Sequence, residues 1–139
     1  MPGVHAGAMS ELTPYLCVAD ARAALAWYVE VLGAVVSVDP IEMPDGRIGH
    51  AELTRDGATW MISDVFEGVH IAAPVPGAGS TVSLHLTVDD VDGLAAAVTE
   101  SGVVLDRGPE DNPGVGRLAV FRDPFGHRWF LNQEATAAP

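Results

Sequence analysis

The sequence predicts an α+β fold of two βαβββ units whose sheets curve around a shared cavity. Three observations predict it. The first is an internal repeat. Asp20 and Asp90, Leu16 and Leu86, Val18 and Val88, and Arg47 and Arg117 lie 70 positions apart, while Gly33 and Gly102, Gly57 and Gly126, and Trp60 and Trp129 lie 69 apart. The second is that each copy passes from alternating to helical spacing and back to alternating. The third is that cap and turn residues recur at the same places in both copies.

In the first copy Thr13–Val18 reads as a strand, with Leu16 and Val18 on one side and Thr13, Tyr15 and Cys17 on the other. Asp20 caps a helix with a buried stripe of Leu25, Tyr28, Val29 and Leu32, and Gly33 supplies the left-handed stop. Val35–Glu42, Arg47–Arg55 and Ala58–Ser63 follow as strands, separated by the turns Pro44–Gly46 and Asp56–Gly57. The second copy opens with the strand Thr81–Val88. A helix capped by Asp89 or Asp90 comes next, with Val91, Leu94, Ala95 and Val98 on one face and Gly102 at its end. Strands are expected at Val103–Asp106, Arg117–Arg122 and His127–Leu131. The repeats thus cover about 12–64 and 82–132 of a single domain spanning 11–133. The Gly- and Pro-rich segment 65–81 reads as a linker, and 1–10 and 134–139 read as flexible ends. Each helix covers one face of its own sheet, which leaves the other face for the cavity.

Composition narrows the function. Apolar residues at 48% and charged residues at 19% suit a globular domain and exclude general disorder. No apolar run reaches the roughly 18–20 residues of a membrane span, and MPGVHAGAMS has neither the charge nor the apolar core of a secretory signal. Cys17, the single cysteine, allows no intramolecular disulfide, so a cytoplasmic location is expected. A net charge of -12 repels phosphate backbones, which disfavours nucleic acid as a partner. All seven basic residues are arginines, so Schiff-base chemistry and a phosphate-loop lysine are both excluded.

Four segments carry a family likeness: LTPYLCVAD at 12–20, GRIGHAEL at Gly46–Leu53, SLHLTVDDVD at Ser83–Asp92 and DPFGHRWFL at Asp123–Leu131. Together they resemble the vicinal oxygen chelate superfamily of glyoxalase I, bleomycin resistance proteins and extradiol dioxygenases. HAEL and DPFGHRW are most similar to its PhnB-like branch. The resemblance implies the glyoxalase/bleomycin resistance/dioxygenase fold, a small-molecule ligand and a homodimer. Metal-dependent members carry one ligand on each of four strands, at positions that match Thr13, Glu52, Ser83 and Phe130 here. Glu52 alone is a competent ligand, so the usual metal site, and with it a cofactor, is not expected.

Strand parity assigns the cavity walls. Tyr15, Met61 and Phe130 supply apolar surface for a flat ligand, whereas Trp60 and Trp129 point toward the helices. His50 and Glu52 share a strand face. They read as an acid/base pair, as two ligands of a displaced metal site, or as a structural pair. The repeat sets Arg122 in register with Glu52, where an ion pair would satisfy both. His85 reads as a hydrogen-bonded wall, but His50, Glu52 and His85 form the one trio able to assemble another metal site. Cys17 reads as a small core residue and His127 as a turn-fixing side chain. His5 and His70 lie in loose segments, and Gly108–Gly116 is a flexible cavity lip. The function expected first is binding of a small, aromatic or antibiotic-like molecule. The alternative is a divalent-metal-dependent lyase, isomerase or dioxygenase, and the third possibility is a scaffold with an empty cavity.

Overall fold

The computed structural model describes residues 9–135. The first unit comprises β1 (Tyr15–Cys17), α1 (Ala21–Leu32), β2 (Val35–Glu42), β3 (Ile48–Arg55) and β4 (Ala58–Ser63). The second comprises β5 (Ser83–Thr87), α2 (Val91–Glu100), β6 (Arg107–Asn112), β7 (Gly116–Arg122) and β8 (Arg128–Glu134). Each forms a four-stranded sheet, ordered β1-β4-β3-β2 and β5-β8-β7-β6. The first strand of each unit runs parallel to the last, and the remaining pairs are antiparallel. The α+β class and the doubled βαβββ architecture are as the repeat predicts.

The helices start where expected. The Asp20 carboxylate accepts from the Ala23 N–H at 3.1 Å, and Asp90 accepts from Gly93 at 3.0 Å. Each cap satisfies a donor that helix geometry leaves free. A second free donor is satisfied from the sheet in both units. Ala21 N–H donates to Asp64 Oδ1 at 2.7 Å, and Val91 N–H donates to Gln133 Oε1 at 3.0 Å. Asp64 and Gln133 do the same work with different chemistry, which no identity-based repeat reveals. Gly33, at φ +71°, ends α1. The stripe differs at one position. Ala21, Ala24, Leu25, Tyr28 and Leu32 are buried, while Val29 remains 39% exposed because it lies at the stripe's edge.

The helix-facing sides of both sheets share one core. Trp60 and Trp129 are buried there, with ring centroids 5.3 Å apart, and Tyr28 lies 5.7 Å from each. Asp123 sits in this core at 4% exposure. It accepts from the Tyr28 hydroxyl, from Trp129 Nε1 at 2.9 Å, and from the N–H groups of Phe125 and His127 at 2.9 and 3.0 Å. His127 does more than fix a turn: its Nε2 donates to the Cys17 carbonyl at 2.9 Å and so joins the two units.

Burial, and then the adjacent Asp123 carboxylate, raise the Tyr28 phenol well above its ordinary 10.0. Above about pH 10 the unfolded chain loses this proton while the folded chain keeps it, so stability falls as pH rises through that range. Urea midpoints measured from pH 8 to 11 are expected to fall, and Tyr28→Phe to flatten the fall.

Four expectations are corrected. Val103–Asp106 is not a strand. The strand is β6, which starts one residue before the segment read as a lip and takes up its first half, while Val103 and Leu105 pack against the core. An edge strand accommodates Pro109, and its register slips between Arg107 and Glu110. β1 starts at Tyr15 rather than Thr13. Glu134 is no loose end, for β8 extends to it and pairs it with Gly116. His5 and the remaining parts of both ends, 1–8 and 136–139, lie outside the described residues.

The fourth correction concerns register. Glu52 pairs with Met61, and Val120 with Phe130, so Glu52 corresponds to Val120 and not to Arg122. Asp56–Gly57 makes a two-residue turn in the first unit, but five residues, Asp123–His127, join β7 to β8. The longer turn, organised by Asp123, shifts the second β7–β8 ladder against the sequence offset. No Glu52–Arg122 ion pair forms. Arg122 donates to Ser80 Oγ at 2.8 Å and to the Gly126 carbonyl at 3.3 Å.

Candidate functional site

The open face of the first sheet is built by strand alternation. Tyr15, Met61, Glu52 and Val38 form one cross-strand row, with Cys17, Ser63, His50 and Ile41 beside it. A hydrogen-bonded chain crosses this face. The Tyr15 hydroxyl lies 3.0 Å from the Gly49 carbonyl and 2.8 Å from His50 Nδ1, while His50 Nε2 lies 2.8 Å from Glu52 Oε2. With Glu52 ionised, Nε2 carries the proton and Nδ1 is an acceptor, so the single phenol proton is shared between two alternative acceptors, Nδ1 and the Gly49 carbonyl. Glu52 thereby fixes the imidazole tautomer, and the imidazole orients Tyr15. Partial burial and the Glu52 charge raise the Tyr15 phenol, so it acts as a proton donor in hydrogen bonds.

Beside this chain lies a hollow of about 720 Å³, lined by Tyr15, Cys17, Ile41, Met43 and His50 and walled by Phe66, Val69 and Ile71. The wall belongs to the segment read as a linker. Glu67–Val69 forms a short 3-10 turn, and Phe66 bridges to Ile71. Arg47 pins it in place: its guanidinium lies 4.2 Å from the Phe66 ring centre and donates to the Val65 carbonyl at 2.7 Å. Gly49 keeps the floor open for Met43, since a Cβ there would lie 2.8 Å from the Met43 sulfur. Cys17 lines this hollow rather than the core. Burial and then Asp64 raise its thiol, which lowers the fraction present as nucleophilic thiolate.

The expected site residues divide between two sheets. Tyr15, His50 and Glu52 come together, with Met61 next to them in register. His85 and Phe130 stack on the second sheet, their ring centres 6.1 Å apart. Arg122 lines a groove of about 520 Å³ between the units, together with Tyr15, Leu84 and His127. The trio of His50, Glu52 and His85 does not assemble. Among the described residues no three His, Cys, Asp or Glu side chains converge. The register also makes Met61, and not Glu52 as expected, the counterpart of Phe130, because Tyr15 pairs with Met61 as His85 pairs with Phe130, and Glu52 lies one strand over. Thr13, Met61, Ser83 and Phe130 offer two hydroxyls, a thioether and a hydrocarbon ring, a donor set that does not fit a hard divalent ion. Sequence reasoning missed Ile41, Met43, Phe66, Val69 and Ile71. The signal for the last three was their apolar character inside a Gly- and Pro-rich stretch.

Paired βαβββ units that share one core and leave a face of each sheet open define the vicinal oxygen chelate type of scaffold. Residues 5–131 match the model of the Glyoxalase/Bleomycin resistance protein/Dioxygenase superfamily, and the chain belongs to that superfamily. It is 36% identical over 125 residues to the Mycobacterium bovis protein Mb0911c, covering 88% of this chain and 82% of that one. Among solved structures it resembles TnmS3, an antibiotic binding protein from Streptomyces sp. CB03234, with 30% identity and a TM-score of 0.67 over 94% of this chain and all of the other. It also resembles TioX from Micromonospora sp. ML1, with 25% identity and a TM-score of 0.66 over 91% of this chain and all of the other. No helix among the described residues is long and apolar enough to cross a membrane.

Proposed function

We propose that the chain binds a small aromatic or antibiotic-like molecule on the open face of its first sheet, without the family's usual metal site. The observation that carries this reading is the apolar hollow beside Tyr15–His50–Glu52. Its size falls within the roughly 300–1,000 Å³ typical of ligand pockets, and few polar groups converge on it. Ile41, Met43 and Phe66 give contact area, while the Tyr15 hydroxyl and His50 fix orientation. Met61, His85, Phe130 and Arg122 extend the contact surface toward the second unit. The antibiotic-binding neighbour supports the same use of the scaffold. HAEL and DPFGHRW support a place in the PhnB-like branch, the single thiol supports a cytoplasmic setting, and the open sheet faces support a homodimer.

Native mass spectrometry tests these points in one measurement. A dimer is expected that takes up one planar aromatic antibiotic per chain and carries well under one equivalent of Zn, Ni, Fe or Mn. A monomer would overturn the dimer, and absence of uptake across a panel of planar aromatics would overturn the binding reading. A stoichiometric metal removed by chelator would restore the metal-dependent enzyme.

A further inference from the structure

We propose that Arg122 and Arg128 form an oxyanion-binding site on the open face of the second sheet. The arginines are unevenly partnered. The chain has 19 acidic residues for 7 arginines, so carboxylates are abundant. Five of the arginines take one: Arg22 with Glu42, Arg47 with Asp45, Arg55 with Asp56, Arg107 with Glu110, and Arg117 with Asp92. Among the described residues Arg122 and Arg128 have none.

These two are not scattered. Arg122 on β7 and Arg128 on β8 are direct cross-strand partners, in the row completed by Ser83 on β5. Directly opposite residues point to the same side of a sheet, and like charges so placed repel. A protein this acidic has the means to neutralise the pair and does not do so. Instead each guanidinium is held by neutral groups. Arg122 donates to Ser80 Oγ and Arg128 donates to Ser83 Oγ, both at 2.8 Å. Arg128 also lies 4.7 Å over the Phe130 ring centre, which steadies a cation without cancelling its charge. Arg122 uses Nη1 for both of its bonds and Arg128 uses one Nη1, so most of their N–H donors stay free. Two half-buried guanidinium forks on one face, oriented and unneutralised, suit a carboxylate, phosphate or sulfate group bound through charge-assisted hydrogen bonds.

The site goes beyond the apolar hollow and does not depend on it. The oxyanion is either a free ion or the acidic arm of a larger aromatic molecule. Arg122 lines the groove that also contains Tyr15, so an acidic arm there and an aromatic body near Tyr15 fall within one continuous surface.

The test uses the full chain and two probes at constant ionic strength held with chloride: inorganic phosphate and benzoate. Arginine Nε–Hε resonances report the binding directly. Saturable shifts of the Arg122 and Arg128 signals are expected, and Arg128→Gln should weaken them roughly tenfold or more. Arg122→Gln is the second variant, while Arg128, whose guanidinium bonds Ser83 on β5 where that of Arg122 bonds the Gly126 carbonyl in the turn, keeps the test sound if Arg122→Gln disturbs folding. Preference for benzoate assigns the site to the acidic arm of an aromatic ligand, and preference for phosphate assigns it to a free oxyanion. Both outcomes support the site. Absence of a saturable shift at either guanidinium with both probes, or equal affinity in Arg128→Gln, would overturn it. Phosphate has no apolar part, so its result stands whether or not the hollow takes a ligand.

Discussion

Asp123→Ala is expected to destabilise the fold by about 3–5 kcal/mol, read as a shift in the urea midpoint at an unchanged slope. The carboxylate serves four donors: Tyr28 and Trp129 side chains and the N–H groups of Phe125 and His127. Truncation leaves the buried Tyr28 hydroxyl and Trp129 indole without a partner, and an unmade buried hydrogen bond costs more than a made one contributes. It also releases the five-residue turn that sets the β7–β8 register, and with it the His127 bond to the first unit. Against a total stability of about 5–15 kcal/mol, this loss threatens the native state itself. Asp123→Asn retains one acceptor oxygen and should lose less. Equal midpoints for wild type and Asp123→Ala would show that the network contributes little.

Tyr15→Ala is expected to weaken binding of a planar aromatic ligand by about 1–3 kcal/mol, roughly six- to 150-fold in Kd, with little change in melting temperature. Tyr15 is 53% exposed, so its ring contributes little to the core. It lines both the hollow of the first sheet and the groove between the units, so a ligand in either place meets it. Tyr15→Phe separates the two contributions, since it keeps the ring and removes the hydroxyl that joins His50 to Gly49. Fluorescence or calorimetric titration distinguishes the three proteins. An alanine variant that binds as tightly as wild type would remove Tyr15 from the site.

The repeat made the architecture legible because each copy carries its own local signals. Asp20, Asp90 and Gly33 act within one turn of backbone, and alternation in β3 and β4 acts within one strand. Such signals depend on neighbours in sequence, so they survive without knowledge of the fold. Strand parity was equally local. It placed Trp60 and Trp129 toward the helices, and Tyr15, His50 and Glu52 on the open face.

Register and partners were not local. Pairing Glu52 with Arg122 assumed one offset through the whole repeat, and the longer Asp123–His127 turn broke that assumption between β7 and β8. The apolar wall of Phe66, Val69 and Ile71 stayed hidden because its glycines and prolines announce a loop, while the contact that gives it a role comes from Arg47, far back in the chain. The sequence by itself determined the doubled βαβββ plan, the caps and the buried face of each element, since backbone preference and periodicity suffice for these. Only the tertiary structure decided that Glu52 serves His50, that the linker closes a hollow, and that Arg122 and Arg128 stand together without a carboxylate. Each of these depends on which distant side chain arrives within hydrogen-bond reach, and that is fixed by turn length and strand pairing across the whole fold.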